Sequence, residues 1–299
     1  MKLVFANNLV CPLDGSALTP REQSLTCPKG HNFDKARQGY LNLLVVQHKA
    51  SRDPGDTKEM VAARTRFLRT GCYEPIANAI ADLTEKHLAN IPVSEQVTIL
   101  DAGCGEGYYL DWIGRKATKW NYSEGVLIGL DISKWAIQSA VKRSRDITWI
   151  VGSNRRPPFL AGSIDSIVCA FGFPSFEDFR HVLKPGGKVI LVDPGVNHLL
   201  EMRQVIYSEL RERGLPAIAS TEVEGFKLVD RYNLTYQSEV SSSEDIQDLF
   251  AMTPHYFRSP QSGKIALAKL HKLSFTVDVN FRIFAAIAKD VKNDVKNID

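Results

Sequence analysis

The stretch VTILDAGCGEGYY, residues 97–109, decides the fold. An apolar run ends in an acid, Asp101, and Gly103, Gly105 and Gly107 follow at alternate positions. Without a Cβ, glycine accepts positive φ and lets a ligand approach the backbone closely. Val97–Asp101 therefore reads as a strand, the glycine run as a tight loop, and the residues from Tyr108 as a helix. Dinucleotide sites carry G-x-G-x-x-G in such a loop and hold a pyrophosphate on the helix N-terminus. Here the third glycine comes one residue early.

Working outward, Val126–Asp131 is a second apolar run ending in an acid, with a helical stretch, Lys134–Arg143, behind it. A carboxylate at that strand end can accept both hydroxyls of a ribose, or it can cap the following helix. Ile147–Val151, Ile164–Ala170 and Lys188–Val192 are further candidate strands. Strands alternating with helices imply an α/β fold with a parallel sheet covered on both faces. The ordered set resembles the class I, Rossmann-like, S-adenosylmethionine-dependent methyltransferases. Asp101 and the three glycines match the first motif of that class, with Asp131 at the ribose. Val151–Ser153 falls where the third strand meets the adenine, and VLKPGGKVILV matches the turn into the fifth strand. The stretch CAFGFP, 169–174, stands where exocyclic-amine methyltransferases of adenine place Asp or Asn before Pro-Pro, which argues against that chemistry. Cys169 lies on the strand itself and reads as a buried core thiol.

Either side of this region the pattern changes. Thr57–Arg69 favours a helix with Thr57 as N-cap and Gly71 as its stop, and Pro75–Leu88 a second helix with Pro75 in the first turn. Phe226–Leu234 reads as a strand, Ser243–Phe250 as a helix and Ser274–Ile283 as an alternating strand. The polar end of the sequence, KDVKNDVKNID, is expected to fray. We divide the chain into a front module, 1–40, a linker and helical segment, 41–90, and the methyltransferase domain, 91–299.

The front module reads CPLDGSALTPREQSLTCPKGH over residues 11–31. Cys11-x2-Asp14-x12-Cys27-x3-His31 has the rhythm of a small zinc site, with Asp14 where a cysteine is expected. Carboxylate oxygen binds zinc, so a site of two cysteines, one aspartate and one histidine is possible, held less tightly than with a third thiolate. A water in the fourth place, or no metal, are the alternatives. Without metal the module depends on Leu13, Leu25 and Phe33 for a small core, which such modules rarely survive on. Short strands are expected around Leu25 and Phe33.

Charge is concentrated at the front. Residues 1–70 hold eleven Lys or Arg against six Asp or Glu, although the whole chain carries only +3. A basic front can meet phosphates. No apolar run reaches the roughly 20 residues of a membrane span. The opening MKLVFANNLV lacks the apolar core of a signal peptide, and an odd count of five cysteines suggests no disulfide framework. A cytoplasmic protein is expected, with neither membrane nor DNA as partner.

Several stretches are more specific than the methyltransferase class: CPL…CPxxH, HNFDKARQGYLNLL, VQHKASRDPGD, GCYEP, PGVNHLLEMRQVIY and MTPHYFR. Together they resemble the RlmA (RrmA) family of 23S rRNA guanine-N1 methyltransferases, from Cys11 to about Phe284. The resemblance implies a homodimer and a zinc-ribbon-like N-terminal module that engages RNA. It also implies methylation of guanine N1, at the position named 745, in a hairpin of 23S rRNA. By it, Tyr73 and His198 lie on the cofactor beside the Gly105–Glu106 backbone, completing a set with Asp101, Gly103, Gly105, Glu106, Gly107, Asp131 and Ser153. The family has three Cys and one His at the front site, so Cys11, Asp14, Cys27 and His31 correspond with one departure. Lys29, Lys35, Arg37, Lys49 and Arg52 are the residues expected to track RNA.

Guanine N1 carries a proton, so methylation there needs a base within hydrogen-bond reach. Asp193, Asp53, Asp56 and His198 are candidates, and Asp193 is preferred because it ends the fifth strand, although the family usually has a hydroxyl residue there. A base in a hairpin must leave its stack to react, and Phe171, Phe173 and Tyr256 are candidates to stack on it. A methyltransferase of the same fold acting on another RNA site or on a small molecule, and a non-catalytic RNA-binding protein, are the competing readings.

Overall fold

A computed structural model describes residues 1–45, 54–210 and 222–287 of the chain. Lys49, Arg52 and Asp53 lie outside the described residues. The front holds five short strands: β1 (Lys2–Leu3), β2 (Thr19–Arg21), β3 (Ser24–Thr26), β4 (Asn32–Asp34) and β5 (Leu41–Asn42). Helices α1 (Lys58–Leu68) and α2 (Glu74–Leu88) follow. Strands and helices then alternate through β6 (Val97–Ala102), α3 (Tyr108–Ala117), β7 (Glu124–Asp131), α4 (Lys134–Ala140), β8 (Thr148–Val151), β9 (Ile164–Ala170), α5 (Phe176–Val182) and β10 (Leu183–Pro194). The last third contains α6 (Leu200–Ile206), β11 (Glu222–Val223), β12 (Phe226–Val240), α7 (Ser243–Ala251), α8 (His255–Arg258), α9 (Gln261–Ala268) and β13 (Leu273–Ala286).

The main sheet runs β11-β12-β13-β10-β9-β6-β7-β8-β5, with β1 beside β7. β6 through β10 pair in parallel, and β13 lies antiparallel between β10 and β12. Every residue of β6, β8 and β9 is buried, as parallel strands covered on both faces require. Order reverses between β6 and β9, and ligands of open α/β sheets bind outside the strand carboxyl ends at such a switch point.

Local signals explain the flanking helices. Thr57 caps α1 by accepting the Met60 N–H at 3.3 Å, and Pro75 sits in the first turn of α2. Four expectations change. The helix from Lys134 ends at Ala140, and the two terminal strands are longer than their apolar runs, reaching Val240 in β12 and spanning Leu273–Ala286 in β13. Mutual pairing of β12 and β13 along their length carries them past their apolar runs. The fourth change is Leu13, which is 51% exposed and contributes nothing to the module's core. The buried side chains there are Leu9, Cys11, Leu18 and Cys27, with Leu25 and Phe33 packed against them, and they join one core with Phe159 and with Val126 and Ile128 of the larger sheet.

The front module is a three-stranded antiparallel sheet, β2-β3-β4. The residues around it are shared with the larger sheet: Lys2 and Leu3 pair with Glu124 and Gly125, and Leu41 and Asn42 pair with Ile150 and Val151.

Candidate functional site

The glycine loop sits at the switch point. Gly103 and Cys104 donate their N–H groups to the Leu130 carbonyl at 2.8 and 3.0 Å, fixing the loop to the end of β7. Gly107 has φ +81°, and a Cβ there would lie 2.5 Å from the Trp149 ring, so no other residue fits. Asp131 faces this loop. Its Oδ2 accepts the Gly105 N–H at 2.8 Å and its Oδ1 accepts the Ser133 N–H at 2.7 Å. Ser133, not Asp131, caps α4. The Asp131 carboxylate is thus aimed and half-buried at the strand end, where a ribose would meet it.

Asp101 is buried, and neither of its oxygens has a hydrogen-bond partner among the described residues. Burial, reinforced by the charges of Asp131 and Glu106, pushes its pKa up to about 8. Glu106 is buried too, but Arg143 grips its carboxylate through Nη2 at 3.0 Å and Nε at 3.1 Å. Arg143 Nε also donates to the Glu106 carbonyl at 3.0 Å, so both the side chain and the carbonyl of Glu106 are committed to Arg143. Burial raises the pKa of Glu106 and Asp131 as well, against the pull of Arg143 on the first and of the backbone N–H groups on the second. A cluster of buried acids with one carboxyl unpartnered fits a cationic guest, and S-adenosylmethionine carries both a sulfonium and an ammonium.

A candidate residue that sequence reading missed is Arg64 on α1. A Cβ on Gly105 would be 3.5 Å from its Nη1, so the guanidinium rests on the loop. It pairs with Asp56 and donates to the Met252 carbonyl at 3.5 Å, which brings the MTPHYFR segment to the cradle. It faces Glu106 and Asp131 as well, and these acids outweigh the cost of its burial and hold it charged. An arginine there can meet the cofactor's carboxylate. Its only sequence signal is a cation on a helix whose neighbours Val61, Ala63 and Phe67 are buried.

Tyr73 and His198 stand side by side, both buried. Asp278 donates its N–H to His198 Nδ1 at 3.3 Å, which places the ring proton on Nε2, 3.1 Å from the Tyr73 hydroxyl. Phe171 stacks on Tyr73 at 6.3 Å between centroids and also meets Tyr109 and His198. It holds φ +55°, a strained value for an aromatic residue, in the loop after β9. Ser153, half-buried after β8, accepts the Arg155 N–H at 3.1 Å. Tyr256 packs on Phe250, with Lys264 over its ring. Burial lifts the Cys169 thiol well above its ordinary pKa, which suits a core residue and not a nucleophile. Asp193 is engaged by Arg282 of β13. Alternation along β10 places it on the face of Leu191, whereas Val192 shares the core of Tyr73.

At the front, Cys11, Asp14, Cys27 and His31 bring one donor atom each within 4.8 Å of the others. His31 Nδ1 lies 3.5 and 3.4 Å from the sulfurs of Cys11 and Cys27, and 3.1 Å from Asp14 Oδ2. The Cys27 sulfur is 3.4 Å from that oxygen. A tetrahedral zinc with ordinary bond lengths separates sulfur from nitrogen or oxygen by about 3.5 Å, and nitrogen from oxygen by about 3.3 Å. The residues fit the ion. Ser16 directs both its N–H, at 2.9 Å, and its hydroxyl to Asp14 Oδ1, so that Oδ2 alone faces the site. These bonds hold the Asp14 carboxyl well below the usual range. Lys29, Lys35 and Arg37 are exposed on the same module.

A sheet of this order, with a glycine loop and two strand-end acids at its switch point, defines a class I S-adenosylmethionine-dependent methyltransferase. Comparison with known proteins narrows the class. Residues 99–187 match the family described as "Methyltransferase domain", and residues 9–52 match the zinc ribbon described as "RlmA, N-terminal". The chain is 31% identical over 285 residues to a Bacillus subtilis protein named "Putative 23S rRNA (guanine-N(1)-)-methyltransferase YxjB", spanning 91% of this chain and 95% of that one. It is 31% identical over 195 residues to the 23S rRNA (guanine(748)-N(1))-methyltransferase of Streptomyces fradiae, with 65% and 66% of the two chains covered. A solved methyltransferase from Aquifex aeolicus is 17% identical, with 68% of this chain and 89% of that one covered at a TM-score of 0.38, too loose a likeness to argue from. The chain belongs to the RlmA family of 23S rRNA (guanine-N1)-methyltransferases.

Proposed function

We propose that this enzyme methylates N1 of guanine 745 in a hairpin of 23S rRNA, as a cytoplasmic homodimer with zinc in its front module. Among the described residues no helix is long and apolar enough to cross a membrane. The observation that carries the reading is the cradle. Gly103, Gly105 and Gly107 open the backbone, Asp131 is aimed to hold ribose, Asp101 awaits a cation, and Ser153 stands at the adenine end. When bound, S-adenosylmethionine supplies a methyl group on a sulfonium, which needs no further activation as an electrophile.

The protein's own task is to present guanine and take its proton. Phe171, Tyr73 and Tyr109 form an aromatic platform against which a splayed base stacks. Asp193 and Arg282 form a carboxylate–guanidinium pair whose donor and acceptor match the Watson–Crick edge of guanine. Asp193 is the base this reading assigns to the N1 proton, and because it and Arg282 stand on the sheet face opposite Tyr73, the Watson–Crick edge of the guanine has to turn past the end of β10 to meet them. Positioning for in-line attack supplies much of the rate. Lys29, Lys35 and Arg37 meet phosphates, joined by Lys49 and Arg52 from the following segment, so RNA affinity falls as salt rises. Lys35 and Arg37 share a cleft with Arg145 and the exposed Phe5, which gives the basic module a continuous surface with the methyltransferase sheet.

The test is nucleoside mapping. Unmodified 23S rRNA is treated with the enzyme and S-adenosylmethionine, digested, and read by mass spectrometry. The reading expects 1-methylguanosine at 745. A methyl group on another atom overturns the chemistry, and one at position 748 overturns only the choice of nucleotide.

A further inference from the structure

Phe173 is 91% exposed, the most open large apolar side chain among the described residues. Single exposed apolar residues are common and need no explanation. This one is different in where it stands and how it is held. It lies two residues beyond Phe171, which lines the aromatic platform, so the two rings belong to positions at most about 7 Å apart along the backbone. The loop between them rests on the glycine cradle. A Cβ on Gly103 would be 3.9 Å from the Gly172 Cα and 3.7 Å from the Asn154 amide.

The loop is also fastened from the far side. Asn154 Nδ2 donates to the Phe173 carbonyl at 3.0 Å, which ties the β9–α5 loop to the segment after β8. Arg156 N–H donates to Asp178 Oδ1 in the first turn of α5 at 3.0 Å, a second tie between the same two segments. Arg156 holds φ +54°, an unfavourable backbone for a long side chain. Arg155 and Arg156 are exposed, and neither has an ion-pair partner among the described residues. A bare aromatic ring on a fastened backbone therefore stands at the mouth of the cofactor cradle, beside two uncommitted cations.

We propose that Phe173 is a wedge that fills the gap left in the RNA stack when the target guanine swings out, with Arg155 and Arg156 holding the adjoining phosphates. Apolar side chains inserted between bases replace lost stacking, and unpairing a base costs a few kcal/mol that something must offset. The cations supply the complementary charge that makes RNA the occupant of this surface. This assignment rests on the reading of the enzyme as an RNA guanine methyltransferase. It separates two roles for neighbouring rings: Phe171 receives the base and Phe173 replaces it.

The experiment uses the full-length protein and two synthetic hairpins, one with the target guanine paired and one with an abasic position opposite it. Both carry 2-aminopurine next to the target. Wild type is expected to raise the 2-aminopurine fluorescence of the paired hairpin and to methylate both. Phe173→Ala is expected to lose most of that rise, to methylate the paired hairpin at least tenfold more slowly, and to come within about threefold of wild type on the open one. Arg155→Gln with Arg156→Gln is expected to weaken binding of both hairpins and flatten its salt dependence. Unchanged calorimetric binding of S-adenosylmethionine shows that the variants are folded. Equal slowing on both hairpins, or no slowing on either, overturns the wedge. A change in sedimenting mass with normal fluorescence overturns it in favour of a contact between copies of the chain. Failure of wild type to methylate either hairpin at guanine overturns instead the reading on which the wedge rests.

Discussion

The cofactor cradle and the front metal site solve the same problem, holding a charged guest in fixed geometry, by opposite means. The cradle borrows its rigidity. Its loop is pinned to Leu130, its Gly107 packs on Trp149, and the buried strands beneath it would keep their shape without a ligand. The front module has three strands of three residues, and its few buried side chains lean on the core of the larger sheet, so a metal held by its four donors would add most of the module's own rigidity. The difference teaches where a sequence can drift. At the cradle a change of backbone freedom is fatal, whereas at the metal site a ligand can be exchanged if a neighbour aims the replacement. Ser16 does this for Asp14.

The sharpest break in that comparison comes from Cys27→Ser. It should take zinc from about one per chain to none by metal analysis, disorder residues 9–34 by hydrogen exchange, and reduce RNA affinity at least tenfold. Binding of S-adenosylmethionine should survive. Loss of both affinities together would show that the two regions are not independent.

Next in size is the pH response of Asp101. Its folded pKa, about 8, lies above its ordinary value of 3.8, so the folded protein keeps a proton that the unfolded chain gives up. That contribution is complete below about pH 4, declines as pH rises toward 8, and changes no further above it. Between pH 5 and 8 the cofactor-free wild type should lose up to about 4 kcal/mol relative to Asp101→Asn in denaturant titrations. Parallel curves for the two proteins would mean that Asp101 is solvated or already paired.

Asp131→Ala should weaken S-adenosylmethionine by about 100-fold in calorimetry, the worth of charge-assisted bonds to two hydroxyls, and leave RNA affinity intact. The smallest effect is expected from Ser16→Ala. Freed from its aim, Asp14 should hold zinc about tenfold less tightly in a chelator competition, with the ion still bound at saturation. No change would assign the orientation of Asp14 to the metal itself.

Much of this was legible in the sequence because the central strands are continuous apolar runs bounded by loops. Val97, Val126 and Ile164 marked their strands to within two residues, whereas β10 begins at Leu183, five residues before Lys188. Other features leave little trace. Two-residue strands such as Lys2–Leu3 have no period, and their pairing with β7 is a product of tertiary packing. β12 extends past Leu234 along its pairing with β13, and there the half-buried Leu234, Tyr236 and Ser238 alternate with exposed Thr235, Gln237 and Glu239, a period masked in the sequence by the polar Ser238. In the site, the strand-end acids and glycines follow from chain order. Arg64 does not, since it reaches Gly105 across 41 residues by the packing of α1. The Asp193–Arg282 pair likewise joins residues that only the β10–β13 ladder brings together. Ser16 was within reach of reading, because an Asp two residues before a Ser is a common local turn.

The most direct test of the cradle is an experimental structure with S-adenosylmethionine soaked in. The account predicts the ribose on Asp131, the adenine near Ser153, the amino-acid end between Arg64 and the loop 103–107, and the methyl group facing Phe171. A cofactor settled away from that loop, or with its ribose on a residue other than Asp131, would contradict it.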